Sequence, residues 1–144
     1  MSTVNTVDEV RSYYQQDTIA QNYIEKRFTE PLNVVEHERQ VAFLNMVVKE
    51  KQLKKILEFA PGPARLTAEL QIEGGTSIDT SESMLALARK RKKNWNFVQG
   101  DILKMKLKAE HDLVFCVRFL LHFREPERRK IYAQAWKALD QGYL

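Results

Sequence analysis

Lys55-Ile-Leu-Glu-Phe-Ala60 runs into Pro61-Gly-Pro-Ala-Arg65, and after Gly74-Gly75 the chain reads Thr76-Ser-Ile-Asp79. Both apolar runs are too short for a helix and are bounded by turn residues, so each reads as a buried strand. Between them, Pro63 suits the first turn of a helix whose Leu66 and Leu70 lie four apart on one face. Strand, loop, helix and strand form the repeating unit of a parallel α/β sheet.

The unit recurs downstream. Thr80 or Ser81 can cap a helix carrying Met84, Leu85, Leu87 and Ala88, and Asn96-Phe-Val-Gln99 gives a third strand ending at Gly100-Asp101. Asp112 to Val117 gives a fourth, the most apolar of the set. Pro126 then opens a helix with Ile131, Ala135, Trp136 and Leu139, and Gly142-Tyr-Leu144 begins a fifth strand. Upstream the texture is helical. Val7, Val10, Tyr13 and Tyr14 share a face that Tyr23 and Ile24 continue past the polar stretch Gln15-Gln-Asp-Thr18. Pro31 starts a second helix with a broad apolar stripe to about Glu50. The expected architecture is an α/β, Rossmann-like parallel sheet of four to five strands with flanking helices. Two N-terminal cap helices (1–50) precede the sheet-bearing part (51–144).

The 144 residues fit one core, and 44% hydrophobic with 29% charged residues is ordinary globular composition. No apolar run approaches the ~20 residues of a membrane span, and the polar start Met1–Asp8 is unlike a secretory leader, so the chain reads as cytosolic. Cys116 is a lone cysteine in an apolar run and reads as a buried, inert thiol. The net charge of +4 gathers at Arg89-Lys-Arg-Lys-Lys93. A solvated helix C-terminus explains that run better than a nucleic-acid patch.

Ligands of open parallel sheets bind outside the carboxyl ends of the strands. There the first strand offers Gly62, where backbone can approach a ligand closely beside a helix N-terminus. The second offers Asp79, suited to accept from a ribose diol, and the third offers Asp101, suited to accept from the exocyclic amine of adenine.

Together these residues resemble a known family. Glu58-Phe-Ala-Pro-Gly-Pro-Ala64 resembles the E-x-G-x-G-x-G loop of class I S-adenosylmethionine-dependent methyltransferases. Asp79-Thr-Ser-Glu-Ser-Met-Leu85 resembles their D-x-S-x-x-M-L segment, and Gly100-Asp101 their adenine-side G-D. Asp112-Leu-Val-Phe with Leu120-Leu-His-Phe123 is similar to their fourth strand and following turn. Tyr23, Arg27 and Phe28 resemble the cofactor-covering helix of small-molecule members. Two family glycines are replaced by Ala60 and Ala64, each tolerable where its φ is negative.

The resemblance implies S-adenosyl-L-methionine as cofactor and a small-molecule methyl acceptor. It implies Glu58 ordering the loop, Ala60 and Gly62 beside the methionine moiety, and Asp79 on the ribose with Thr80 next to it. Met84 is expected against the adenine, and Asp101 with Ile102 at its far edge. Cys116, Val117 and Arg118 are expected near the transferred methyl, with Tyr23 and Arg27 closing over it. Arg118 reads equally as a surface ion pair or as a carboxylate binder. His122 is a candidate general base, although a packed or hydrogen-bonded histidine is the plainer reading. His37 and His111 converge on no metal constellation, and no metal is expected.

The family's sheet has seven strands, so a chain ending at Leu144 lacks the last of them, and the fourth strand is expected near an uncovered edge. That supports an alternative: a truncated, cofactor-binding but catalytically idle module acting through self-association at that edge. A nicotinamide-dinucleotide oxidoreductase domain is disfavoured by the missing G-x-G-x-x-G and by Asp101.

Overall fold

Strand β1 (Ile56–Phe59) is buried along its whole length, and its side chains alternate between two cores. Ile56 packs with Leu44, Val48, Leu66, Leu85 and Trp95 on one face. Leu57 and Phe59 pack with Ile78, Val114, Ile131 and Ala135 on the other. A strand buried on both faces belongs in the middle of a parallel sheet, and β1 lies there.

The chain is seen in a computed structural model that describes residues 6–27 and 29–143. Phe28 and the side chain of Arg27, both expected over the cofactor, lie outside the described residues. The remaining strands are β2 (Thr76–Asp79), β3 (Asn96–Gln99), β4 (His111–Phe115) and β5 (Leu139–Tyr143). They form one parallel sheet in the order β3-β2-β1-β4-β5. The order reverses at β1, so the crevice beyond the carboxyl ends of β1 and β4 is the expected place for a ligand.

Three helices precede the sheet, not the expected two: α1 (Val7–Tyr14), α2 (Asp17–Arg27) and α3 (Pro31–Glu50). Helix α1 is stopped by the polar pair Gln15-Gln16, where the Gln15 N–H closes the last turn on the Arg11 carbonyl. A capping box starts α1: the Thr6 side chain accepts from the Glu9 N–H while the Glu9 carboxylate accepts from the Thr6 N–H. Pro31 opens α3 at a position where its missing N–H costs nothing.

A second correction concerns the connection from β1 to β2, which holds no α-helix. Ala64 has φ +58°, outside helical space, and the chain turns through 62–66 into a single 3₁₀ turn at Thr67–Glu69. Leu66 and Leu70 nevertheless reach the core, each only 3% exposed. Their spacing recorded burial, and the helix was the wrong inference from it.

Beyond β2, α4 (Glu82–Arg91) begins at Ser81, whose hydroxyl accepts from the Met84 N–H. The last helix, α5 (Glu125–Ala138), passes into β5 at Leu139, three residues earlier than expected. Because β5 pairs with β4, the fourth strand is interior, one strand in from the edge formed by β5. Among the described residues no helix is long and apolar enough to cross a membrane.

Buried on α5, Gln134 donates through Nε2 to the carbonyl of Ile102 and, at 2.9 Å, to that of Met105. It thereby clamps the turn that follows β3. Gln134→Leu preserves most of the volume and strands both carbonyls, so it is expected to cost about 1–3 kcal/mol of unfolding free energy. Urea denaturation measures this directly, and a loss of less than ~0.5 kcal/mol would show that the clamp contributes nothing.

Candidate functional site

The carboxyl ends of β1, β2, β3 and β4 open onto one cavity, roofed by α1 and α2. Tyr23, Ala60, Gly62, Asp79, Thr80, Met84, Asp101, Ile102, Val117, Arg118 and His122 all line it. Glu58 lies beneath, on the wall of a smaller chamber beside the same loop. Cys116 does not line the cavity. It packs into the α5-side core, and burial, with Glu58 nearby, pushes its thiol up to about 11. A thiol so raised is unreactive at neutral pH.

The loop after β1 is held from both sides by carboxyl groups. Glu58, 3% exposed, accepts from the hydroxyls of Thr67 and, at 2.9 Å, Ser77. Ser77 in turn accepts from the indole N–H of Trp95 at 2.8 Å. Desolvation by burial pushes Glu58 up to about 7, against the lowering effect of those hydrogen bonds. On the other side Asp79 accepts from the Gly62 and Ser81 N–H groups, each at 3.0 Å. Burial raises Asp79 as well, opposed by the same backbone donors. The Ala60 N–H donates to the Ile78 carbonyl at 2.8 Å, stitching the loop to β2. Asp79 is therefore a loop anchor as well as a cavity wall.

Ala60, Gly62 and Ala64 have φ of +55°, +55° and +58°. Both alanines thus sit in the left-handed region, and the condition under which alanine replaces glycine freely, a negative φ, is not met. The strain is offset by the hydrogen bonds that hold the loop.

Asp101 is also engaged. Its Oδ2 accepts from Arg11 Nη2 at 2.5 Å and its Oδ1 from the Leu103 N–H at 3.0 Å. Arg11 belongs to α1, and the Ser81 hydroxyl donates to the Tyr14 carbonyl at 2.8 Å, so two polar ties hold α1 across the cavity. Val7, Val10 and Tyr14 of α1 line the cavity too. Their i, i+3, i+7 spacing marked a buried face without showing what it would cover, and the part played by Arg11 carried no sequence signal.

His122 lies 3.5 Å from the Tyr14 hydroxyl, with the rings edge to face. Arg118 has φ +62° and lies 3.9 Å from Glu36. His37 joins no metal cluster but a polar chain: its Nδ1 accepts from Arg65 Nη1 at 2.8 Å, and its Nε2 lies 2.6 Å from Glu69. Among the described residues no group of three or more His, Cys, Asp or Glu side chains could hold a metal ion.

With this geometry in place, comparison with known proteins is direct. A family model described as a methyltransferase domain matches residues 56–142, more than half of the chain. No curated protein sequence matches. Among solved structures, magnesium protoporphyrin IX methyltransferase (ChlM) from Synechocystis PCC 6803 with bound SAH superposes with a TM-score of 0.77 at 16% identity, over 94% of this chain and 68% of that one. A DhpI–SAH complex gives 0.73 at 20% identity, over 99% and 68%. The glycopeptide N-methyltransferase MtfA complexed with (S)-adenosyl-L-methionine gives 0.54 at 29% identity, over 62% and 44%. The chain belongs to the class I S-adenosylmethionine-dependent methyltransferases.

Two measurements test the loop. Glu58 has a folded pKa of about 7 against 4.5 ordinarily, so its contribution to stability is full below pH 4.5 and is lost as pH rises through 7. Glu58→Gln keeps an acceptor for both hydroxyls and cannot ionise. Relative to wild type it should therefore gain roughly 3 kcal/mol between pH 4.5 and 8; parallel stability curves for the two proteins would refute the raised pKa. Ala60→Gly relieves a left-handed alanine worth about 1–2 kcal/mol and gives back ~0.4–1 in unfolded-chain entropy. A net gain of about 0.5–1 kcal/mol is expected in thermal unfolding. Ala64→Gly should gain less, because its methyl is fully buried. If Ala60→Gly destabilises, the alanine is unstrained.

Proposed function

We propose that the cavity binds S-adenosyl-L-methionine and that the chain transfers its methyl group to a small-molecule acceptor. The observation that carries this reading is the convergence, on one cavity, of the Gly62 loop, the Asp79 carboxylate and the Asp101 carboxylate from three adjacent strands. The cavity's chemistry fits the molecule. Asp79 is held in one orientation by two backbone N–H groups and faces the cavity, where a ribose diol can donate to it. Val10, Met84 and Ile102 give an apolar slot for a purine, with Asp101 at its edge to accept from an exocyclic amine. Ala60 and Gly62 would lie beside the amino-acid end.

When bound, the cofactor supplies a methyl group on a sulfonium, a good leaving group. The chain's task is then to align donor and acceptor and to exclude water. Tyr23, Val117 and Arg118 would border the reacting centre, and α1 and α2 would cover it. His122 stands where it could accept an acceptor's proton, with the Tyr14 hydroxyl beside it. Engagement of the adenine amine by Asp101 would exchange with its bond to Arg11, so part of the binding energy would go into opening that ion pair.

Isothermal calorimetry is expected to show saturable binding of S-adenosylmethionine. In Asp79→Asn one carboxylate acceptor becomes a donor, and affinity should fall about 10- to 100-fold with the fold intact by circular dichroism. An absence of heat from folded wild-type protein at millimolar cofactor would end this reading.

A further inference from the structure

Helix α3 carries apolar residues on two sides. Leu44 and Val48 are buried in the core beside β1, with Val41 and Val47 packed against it. At 3.6 residues per turn, Leu32, Val35, Phe43 and Met46 fall on nearly the opposite side, where they are 85%, 46%, 59% and 45% exposed. The stripe runs about 21 Å along the helix. It cannot turn inward, because the inner side is already tied to the β1–β2 connection: His37 and Gln40 accept from Arg65, and Asn45 Oδ1 accepts from the Gln71 N–H at 2.7 Å. A single exposed apolar residue is ordinary, but four aligned on one anchored helix mark an interaction surface.

With Arg39 at its centre the stripe reads Leu32, Val35, Arg39, Phe43, Met46, at spacings of three, four, four and three residues. Those are the spacings of a helix-pair seam, and their order is the same from either end. An isologous contact pairs residue i of one copy with j of the other and j with i. In an antiparallel helix pair with its two-fold axis at Arg39, Leu32 therefore meets Met46 and Val35 meets Phe43. Charge agrees with that direction. The amino-terminal half of α3 and its cap expose Glu30, Glu36 and Glu38, whereas Lys49 and Lys51 stand at the other end beside Glu50. An antiparallel partner sets the acidic half of one copy against the basic end of the other. The same acids disfavour an anionic membrane surface, which recruits helices with cationic flanks. Arg39 can lay its aliphatic stem along the seam and turn its head group toward Glu36, one turn back. A charge at the centre of a seam fixes register at a cost in stability.

We propose that the outer face of α3 is a homodimer interface, where two copies of this chain pair antiparallel through Leu32, Val35, Phe43 and Met46 about Arg39. The inference goes beyond the methyltransferase reading and does not depend on it. None of the α3 residues lines the main cavity, so pairing and cofactor binding are compatible. One helix pair buries less than the ~800 Å² a side of a standard interface, so the dimer is reversible, with an expected Kd of about 10–100 µM.

Sedimentation velocity on the whole chain, from about 5 to 500 µM, is expected to show a monomer passing into a dimer. Phe43→Glu and Val35→Glu should each weaken association about tenfold or more, with circular dichroism confirming the fold. Arg39→Leu removes the like charge from the axis and should tighten it about tenfold. Register is read by oxidative cross-linking. Arg39→Cys should link to itself, whereas Leu32→Cys should link only when mixed with Met46→Cys; wild type, whose one native thiol is Cys116, is the unlinked control. A wild type that stays monomeric at the top concentration overturns the proposal. So does a dimer that persists unchanged in Phe43→Glu, or one that Arg39→Cys fails to link, because the copies then meet elsewhere. Flotation with phosphatidylcholine–phosphatidylserine vesicles that is lost in Phe43→Glu also overturns it, since the stripe then seats on a membrane.

Discussion

The turn from β1 into the β2 connection depends on two buried carboxyl groups gripping one short loop. Glu58 draws in Thr67 from beyond the loop and Ser77 from the neighbouring strand, while Asp79 holds the Gly62 amide. Each burial is costly, as the raised pKa of both acids shows. The return is a rigid edge to the cavity at the place where the sheet order reverses. A flexible loop there would pay the entropy of ordering on every binding event. Here folding has already met that cost.

The same network explains how the loop does without two glycines. A left-handed alanine is unfavourable alone by about 1–2 kcal/mol, which a few well-formed hydrogen bonds to a charged or buried partner can offset. Ala60 donates to Ile78 and Ala64 to Pro61, so both strained residues are fixed by their own amides. The methyl of Ala64 also fills core space beside Leu66 and Leu70. Strain in the backbone is thus exchanged for packing.

The strands were legible because a chain buried on both faces leaves short apolar runs bounded by turn residues, and β1, β2 and β3 began and ended near their expected positions. The acids at their ends were legible for the same reason: a polar residue following such a run has few structural explanations. What failed followed a different logic. Leu66 and Leu70 are spaced for a helix, yet Pro63 and a left-handed Ala64 keep that stretch in turns, so periodicity reported burial and not conformation. Arg11, Gln134 and Arg65 were illegible as site components because each acts on a residue distant in sequence. Only the packing of α1, α5 and α3 against the strand ends brings those pairs together.

The pairing of β5 with β4 also changes the weight of the competing explanations. Self-association was inferred from an exposed fourth strand, whose unpaired amides would seek another chain. With β4 interior, its amides are satisfied within the chain, and the outermost strand on that side is β5, so an edge argument would have to be made on β5 and no longer on β4. The enzyme reading loses nothing by the same change, because the cavity is built from the ends of β1 to β4 and its cover comes from α1 and α2. Pairing β5 onto β4 instead steadies the strand that carries Val117 and Arg118 toward the cavity.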